Sequence, residues 1–439
     1  MFVTLWATLF VIFWKRRCRG LYIEWDNHTT IYQDDDVRKD FQGIVRINAV
    51  TDRPEPTFLF TERLARYGKS FLICLPHFLF VVVFNIVFLN LTGIVDPARH
   101  HALFQIEFLS DLCKPGAIFD TQSNMALVPT IVQVLISIVA DLKFKSVANH
   151  ATEVENHRTQ TEFNNSLIIK RFAFMFCDYF LYLFYIGIYE LRIDLLRTNL
   201  GFLFMIDEFR RILIETIIPY LQVKSAKIDK KAKSEKDSAA YVEAKEDEEL
   251  ELSEYETFDD YLEMIITFGY VTLFAGKHHN GTKCFLAAFP LASFISMVFI
   301  YFESRSDLYK LEKLKRRPRV TKAHDIGSWV YVLEFMAITS VFTNIVLFTF
   351  ASDQLDYLIP FLKKYRDDSV QSVATTFAIE HVMLLIVILL RVFLDKDPAW
   401  VRLFKQRKAY QKDQKTLRKQ SKAKELLLKA ISFSSSYKS

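Results

Sequence analysis

The chain has 439 residues, of which 51% are hydrophobic and 15% aromatic, with 41 Phe against 11 Gly and 11 Pro. That balance fits a helical membrane protein and argues against a soluble one. A net charge of +5 makes no case for a nucleic-acid partner, and the charged residues fall in blocks between apolar runs.

The first apolar run is FVTLWATLFVIFW, followed at once by Lys15, Arg16, Arg17 and Arg19. At about 1.5 Å per residue it is too short to cross a hydrocarbon core of about 30 Å. Basic residues after the run, and no small-residue cleavage site, argue against a signal peptide. The run reads as the last part of a membrane helix whose start is missing. Eight runs long enough to span follow, near Phe71–Leu91, Met125–Val147, Leu167–Tyr189, Thr198–Tyr220, Phe258–Gly276, Phe285–Phe302, Ile326–Phe350 and Val373–Leu394. The expected fold is therefore all-α, a polytopic bundle of about nine membrane segments with the first truncated.

If nine segments alternate, Lys15–Arg19, the linker 223–256, Lys310–Arg319 and the basic tail all fall on one side, which the positive-inside rule makes the cytosol. The expected organisation is a truncated membrane helix (1–14), a cytosolic loop (15–70), membrane helices forming a groove (71–222), a charged cytosolic linker (223–256), membrane helices bearing acids (257–398) and a basic cytosolic tail (399–439). The linker, basic first and acidic second, reads as a solvated, mobile loop. The sequons at Asn90 and Asn280 then face outward, and those at Asn27 and Asn164 inward. The five cysteines show no metal spacing. Only Cys113 and Cys284 fall in outer segments, where a disulfide and two free thiols are both open.

Two consecutive segments carry polar stripes. Thr130, Gln133, Ser137, Asp141 and Lys145 recur in steps of three and four, as do Asp178, Tyr182, Tyr185 and Tyr189. The next segment adds Asp207, Arg211 and Glu215. Such stripes either line a watery groove that passes ions or lipid headgroups, or hold helices together by hydrogen bonds. Asp141, Asp178 and Arg211 are ionisable, which favours the groove.

Acids then gather where acids are costly. Asp260 and Glu263 lie three apart in one apolar run, Glu303 and Asp307 four apart in the next, and Glu215 precedes both. A charge deep in a bilayer costs roughly 2.5–3.5 kcal/mol on insertion scales, and five carboxylates also repel one another. A bound cation relieves both penalties, and oxygen-only ligands favour a hard ion such as calcium. The competing reading pairs Glu303 and Asp307 with the bases that follow, Lys310, Lys313, Lys315, Arg316 and Arg317. Asp259–Asp260 lack the GxGD context of an intramembrane aspartyl protease and no nucleophile–base pair is evident, so an enzyme is not expected.

Long motifs along nearly the whole chain resemble the anoctamins, the calcium-activated chloride channels and phospholipid scramblases. LWATLFVIFWKRRCRGLYIEWD resembles the end of the family's second membrane helix. ENHRTQTEFNNSLIIKRFAFMFCDYFLYLFYI is similar to the fifth, YLEMIITFGYVTLFA and AFPLA to the seventh and eighth. IGSW resembles the start of the ninth, and IEHVMLLIVILLRVFLDKDPAWV the tenth with its exit. The resemblance implies calcium ligands at Glu215 (with Pro219 four residues on), Asp260, Glu263, Glu303 and Asp307, and a homodimer packed mainly through the tenth helix. It also implies membrane lipids and chloride or other anions as cargo.

The chain departs from the family at Arg211, where Asn is usual, and at Ile12, where some members have an acid. Ile300–Tyr301–Phe302 replaces the paired Asn before the eighth-helix Glu, and GKHHNGTKC is an added loop. This sequence matches neither the family's first helix nor its N-terminal cytosolic domain, which reads either as a truncated gene model or isoform or as a reduced member of the family. The expectation is an integral protein of the plasma membrane or an endomembrane, C-terminus cytosolic, gated by Ca2+ and moving lipid more than anions. The alternative is a membrane-contact tether whose basic tail (Arg402, Lys405, Arg407, Lys408, Lys412 and Lys415) grips an apposed membrane.

Overall fold

The computed structural model describes residues 2–25, 37–47, 54–95, 104–120, 123–218, 254–274, 290–316, 325–351 and 369–436, with 52, 220–221, 224–225, 252 and 323. The described residues are mostly helical. Helix α1 (Phe2–Glu24) carries the first apolar run straight on through the basic residues after it. A two-stranded antiparallel hairpin follows, β1 (Ile44–Ile47) on β2 (Pro54–Thr57), with Ile44 opposite Thr57. The remaining elements are α2 (Phe60–Leu91), the short α3 (Glu107–Asp111), α4 (Leu127–Val154), α5 (Gln160–Phe184) and α6 (Ile193–Arg211). Then come α7 (Thr257–Leu273), α8 (Pro290–Tyr309), α9 (Trp329–Val346), α10 (Ser369–Phe393) and α11 (Ala399–Ser436). Four of them run on into a π-helical turn: α5 at Tyr185–Tyr189, α6 at Ile212–Ile217, α8 at Lys310–Leu314 and α9 at Leu347–Ala351.

Among the described residues, five helical stretches are long and apolar enough to cross a membrane, in α2, α4, α5, α9 and α10. The other four expected segments are also helices (α1, α6, α7 and α8), and they hold the charges that lower their hydropathy. Outward-facing rows such as Ile131, Leu135, Val139 and Leu142 on α4, and Leu385, Ile388 and Val392 on α10, are exposed. Apolar rows of this length have no place against water and belong against hydrocarbon. Most of the 223–256 linker, Asn280 and Cys284 lie outside the described residues.

The core is built around α5. Phe180 and Leu183 are fully buried with Tyr270 of α7, Met336 of α9 and Leu196 and Leu200 of α6. Gly269 sets the closest approach. A Cβ there would stand 2.3 Å from Met336 Cε and 2.5 Å from Phe180 Cζ, so α5, α7 and α9 meet only because this position has no side chain.

Two polar junctions fix the helix ends. Between α4 and α5, buried Glu155 accepts from Lys170 Nζ at 2.7 Å, bonds His157 Nε2 at 2.7 Å, and also accepts from Ser166. Burial works against its charge, but these hydrogen bonds prevail and hold the carboxyl down to about 2. Thr159 caps α5 by accepting from Glu162 N–H. At the other end of α2, buried Asn90 donates Nδ2 to Ile86 O (2.8 Å) and Phe104 O (2.9 Å) and accepts from Ile106 N–H (2.9 Å). Phe104 takes a left-handed φ of 66° at that contact. Cys113 is a buried free thiol that donates to the carbonyls of Asn90 and Leu91.

Candidate functional site

Helices α6, α7 and α8 bring four of the five expected acids together around two protein cations. Arg211, at the end of α6 and 5% exposed, places Nη1 3.1 Å from Glu303 of α8 and 3.9 Å from Glu263 of α7. Lys310, one turn beyond Asp307, places Nζ 2.8 Å from Asp307 and 3.9 Å from Asp260. Each α7 acid is thus matched to an α8 acid through one basic side chain. The three- and four-residue spacings produce this, because they put each helix's two acids on one face, one turn apart.

The same arginine is held from three further sides. Nη2 donates to Thr267 Oγ1 at 2.8 Å and to Glu208, and Nε lies 3.7 Å from Asp207. Arg210 donates to Asp207 Oδ1 at 2.7 Å and lies 3.9 Å from Glu263. Tyr255 donates to Asp260. Glu208, Thr267 and Arg210 were not singled out from the sequence. The signal for Glu208 and Arg210 was present: in DEFRR, Asp207 stands three and four residues before Arg210 and Arg211, and Glu208 three before Arg211, inside an apolar helix. The backbone of Glu215 lies in the π-helical turn after α6, and its side chain, like Pro219, lies outside the described residues.

The donor chemistry suits a hard cation, since Asp260, Glu263, Glu303 and Asp307 offer only oxygen. A guanidinium and an ammonium already stand between the acid pairs, as charge of that sign requires. A cavity of about 130 Å³ opens beside them, lined by Glu208, Arg211, Phe299, Phe302, Glu303 and Lys310 among others. Among the described residues, no three carboxylate, imidazole or thiol groups form a ready metal cage. Part of the competing sequence reading is therefore present too, in the Asp307–Lys310 pair.

The family model described as "Anoctamin: Calcium-activated chloride channel" matches residues 1–408. The chain belongs to the anoctamin family. This anoctamin is 27% identical over 406 residues to anoctamin-10 of Mus musculus, covering 91% of the chain and 57% of that protein. It is 25% identical to anoctamin-10 of Homo sapiens, with 92% and 57% covered, and 27% identical to human anoctamin-4, with 82% and 39% covered. The chain spans little more than half the length of the anoctamin-10 relatives.

Two residues of each polar stripe of this anoctamin share a space. Gln133 and Ser137 of α4, Asp178 and Tyr182 of α5, and Asp207 and Arg210 of α6 line one cavity of about 50 Å³. Ser137 Oγ donates to Asp178 at 3.2 Å across it. Tyr182 donates to Asn199 of α6 at 3.2 Å, and Tyr179 to Asp207 at 3.3 Å. Toward the Lys145 end of α4, Asp141 lies 3.9 Å from Arg171. Thr130, near the opposite end of α4, is half-buried, and Tyr185 is buried and donates to Glu190 at 3.2 Å. Asp207 and Arg210 belong to both places, for they face this cavity and also brace Arg211 and Glu263.

Proposed function

We propose that this anoctamin is a calcium-activated membrane transporter that scrambles phospholipid, with anions as a second cargo of the same groove. One observation carries the reading: Arg211 of α6 and Lys310 of α8 each bridge one acid of α7 and one of α8. Four inward acids held this way form a cation-dependent junction between three helices, one of which also walls the polar cavity. Calcium bound by Asp260, Glu263, Glu303 and Asp307, and by Glu215 as the family resemblance implies, would take over the positive charge that Arg211 and Lys310 otherwise supply to those acids.

Arg211 ties α6 to Glu303 and Thr267, so its hold on those partners sets how freely α6 moves against α7 and α8. Asp141 and Asp178 along the groove weigh against a purely anion-selective path and favour headgroups, whose tails stay in the bilayer. By the positive-inside rule, the basic segments support a cytosolic C-terminus. A second copy would pack through α10, whose outer face exposes Phe377, Leu385 and Val392.

Reconstitution into liposomes tests the reading, with lipid exposure and chloride flux followed with and without calcium. Calcium should speed lipid exposure, and Glu263→Gln with Asp307→Asn should raise the calcium required at least tenfold, about 1.4 kcal/mol of coupling. An active double variant with unchanged calcium dependence would remove the site. Chloride flux without lipid movement would make the protein a channel.

A further inference from the structure

The last helix is the one long element whose charge the transport reading does not use. Helix α11 runs for 38 residues, about 57 Å, beginning six residues after α10 ends. Between Arg402 and Leu426 it carries ten Lys or Arg against two acids, Asp413 and Glu425. Every residue in that stretch is exposed except Phe404 and Gln414, which are half-buried. At 100° per residue, eight of the ten bases (all but Arg402 and Lys424) fall within an arc of about 160°. Leu403, Tyr410 and Leu417, seven residues apart and each about half-exposed or more, form one line beside that arc.

The start of the helix is fixed at the basic end of α1. Asp397 accepts from Lys405 at 2.8 Å and pairs with Arg19 at 3.2 Å, and these two bases hold its carboxyl below the ordinary range. Asp395 pairs with Arg402 at 2.9 Å, and its carbonyl accepts from Arg16 at 3.0 Å. Val401 is fully buried. The helix therefore leaves the protein beside the basic end of α1 and the end of α10, itself apolar and long enough to cross a membrane.

We propose that α11 lies along the leaflet at this end of α10, its basic arc on anionic phospholipid headgroups and the Leu403–Tyr410–Leu417 line set into the interface. The charge selects the partner. With Arg402 and Lys405 paired to Asp395 and Asp397, eight bases against two acids attract an anionic surface within a Debye length and repel a second copy of the same helix. Three apolar side chains in line beside a basic face are the pattern of an interfacial helix, and polybasic segments just outside a membrane helix bind anionic lipid. The anchor at Asp395 and Asp397 keeps the helix beside its own membrane.

A fluorescent amino acid incorporated at position 410 of the full chain reports the contact. In liposomes of phosphatidylcholine containing phosphatidylserine its emission should shift to the blue relative to phosphatidylcholine alone, and about 1 M salt should reverse the shift. Lys412→Glu with Lys415→Glu and Lys419→Glu should abolish the shift without changing thermal unfolding. Equal emission in both liposomes would overturn the proposal. So would a shift seen only when phosphatidylserine is confined to added protein-free vesicles, which would assign α11 to an apposed membrane. A shift that follows protein concentration in detergent would assign it to a second copy and equally overturn the proposal.

Discussion

Asp259 and Asp260 are neighbours on the first turn of α7, yet they hold different parts of the protein. Asp259 accepts from Arg171 of α5 at 2.8 Å and from Lys145 of α4 at 3.0 Å. Asp260 accepts from Tyr255 and lies 3.9 Å from Lys310 of α8. One turn of backbone thus joins α4 and α5 to the acid cluster.

Asp259→Asn should therefore separate the two. Maximal calcium-stimulated scrambling should fall about tenfold, equivalent to about 1.4 kcal/mol of coupling, while the half-activating calcium concentration stays within about twofold. Titrating activity against calcium in liposomes measures both. A shifted midpoint with an unchanged maximum would put Asp259 in the cation site instead.

Arg211 makes the opposite case, because it lies in the site. Arg211→Asn should lower the calcium needed for activity by about tenfold and steepen the response, since a standing positive charge is removed from the acids. Without calcium the variant should unfold more easily. Glu208, Glu263 and Glu303 then lose a shared partner, and breaking a buried ion pair costs about 3–5 kcal/mol. An identical slope and midpoint would show that Arg211 serves only to brace α6.

Gln133→Leu with Ser137→Leu tests the groove. Both residues line the cavity shared by α4, α5 and α6, and neither is one of the acids proposed to bind calcium. Lipid exposure should slow at least tenfold with the calcium midpoint retained. A normal rate would reduce the Ser137–Asp178 bond to a fastening between helices.

The Glu155 junction predicts a pH response of stability. Its carboxyl is held from an ordinary 4.5 down to about 2, so its contribution is complete above pH 4.5 and is lost as the pH falls toward 2. Thermal unfolding followed from neutral pH to about 3 should show a decline in the parent that is shallower in Glu155→Gln. The variant should also start lower at neutral pH. Parallel curves would place the acid sensitivity elsewhere.

The acids on α7 and α8 were legible because their spacing of three and four is a property of the helix itself. Their partners were less so. Lys310 follows Asp307 by three and could be read as its neighbour, but its approach to Asp260 depends on how α7 packs against α8. Thr267 gave no signal, for a threonine in an apolar helix commonly bonds its own backbone, as Thr272 does to Phe268 O at 2.7 Å. The run of apolar residues before Lys15 understated α1, because a basic stretch lowers hydropathy without ending a helix. The hairpin of β1 and β2 escaped notice since PEPT has little of the β-branched, alternating character of a strand.

Asn90 carries a consequence for maturation of the chain. It heads an Asn-Leu-Thr acceptor sequence, and attaching a sugar requires its amide nitrogen to be reachable. That nitrogen is buried and donates both its hydrogens to carbonyls, one of them of Phe104, fourteen positions further along the chain. The hydrogen bonds of Asn90 to Ile86 and Phe104 and glycosylation of Asn90 therefore exclude each other. Whichever happens first during synthesis decides the other.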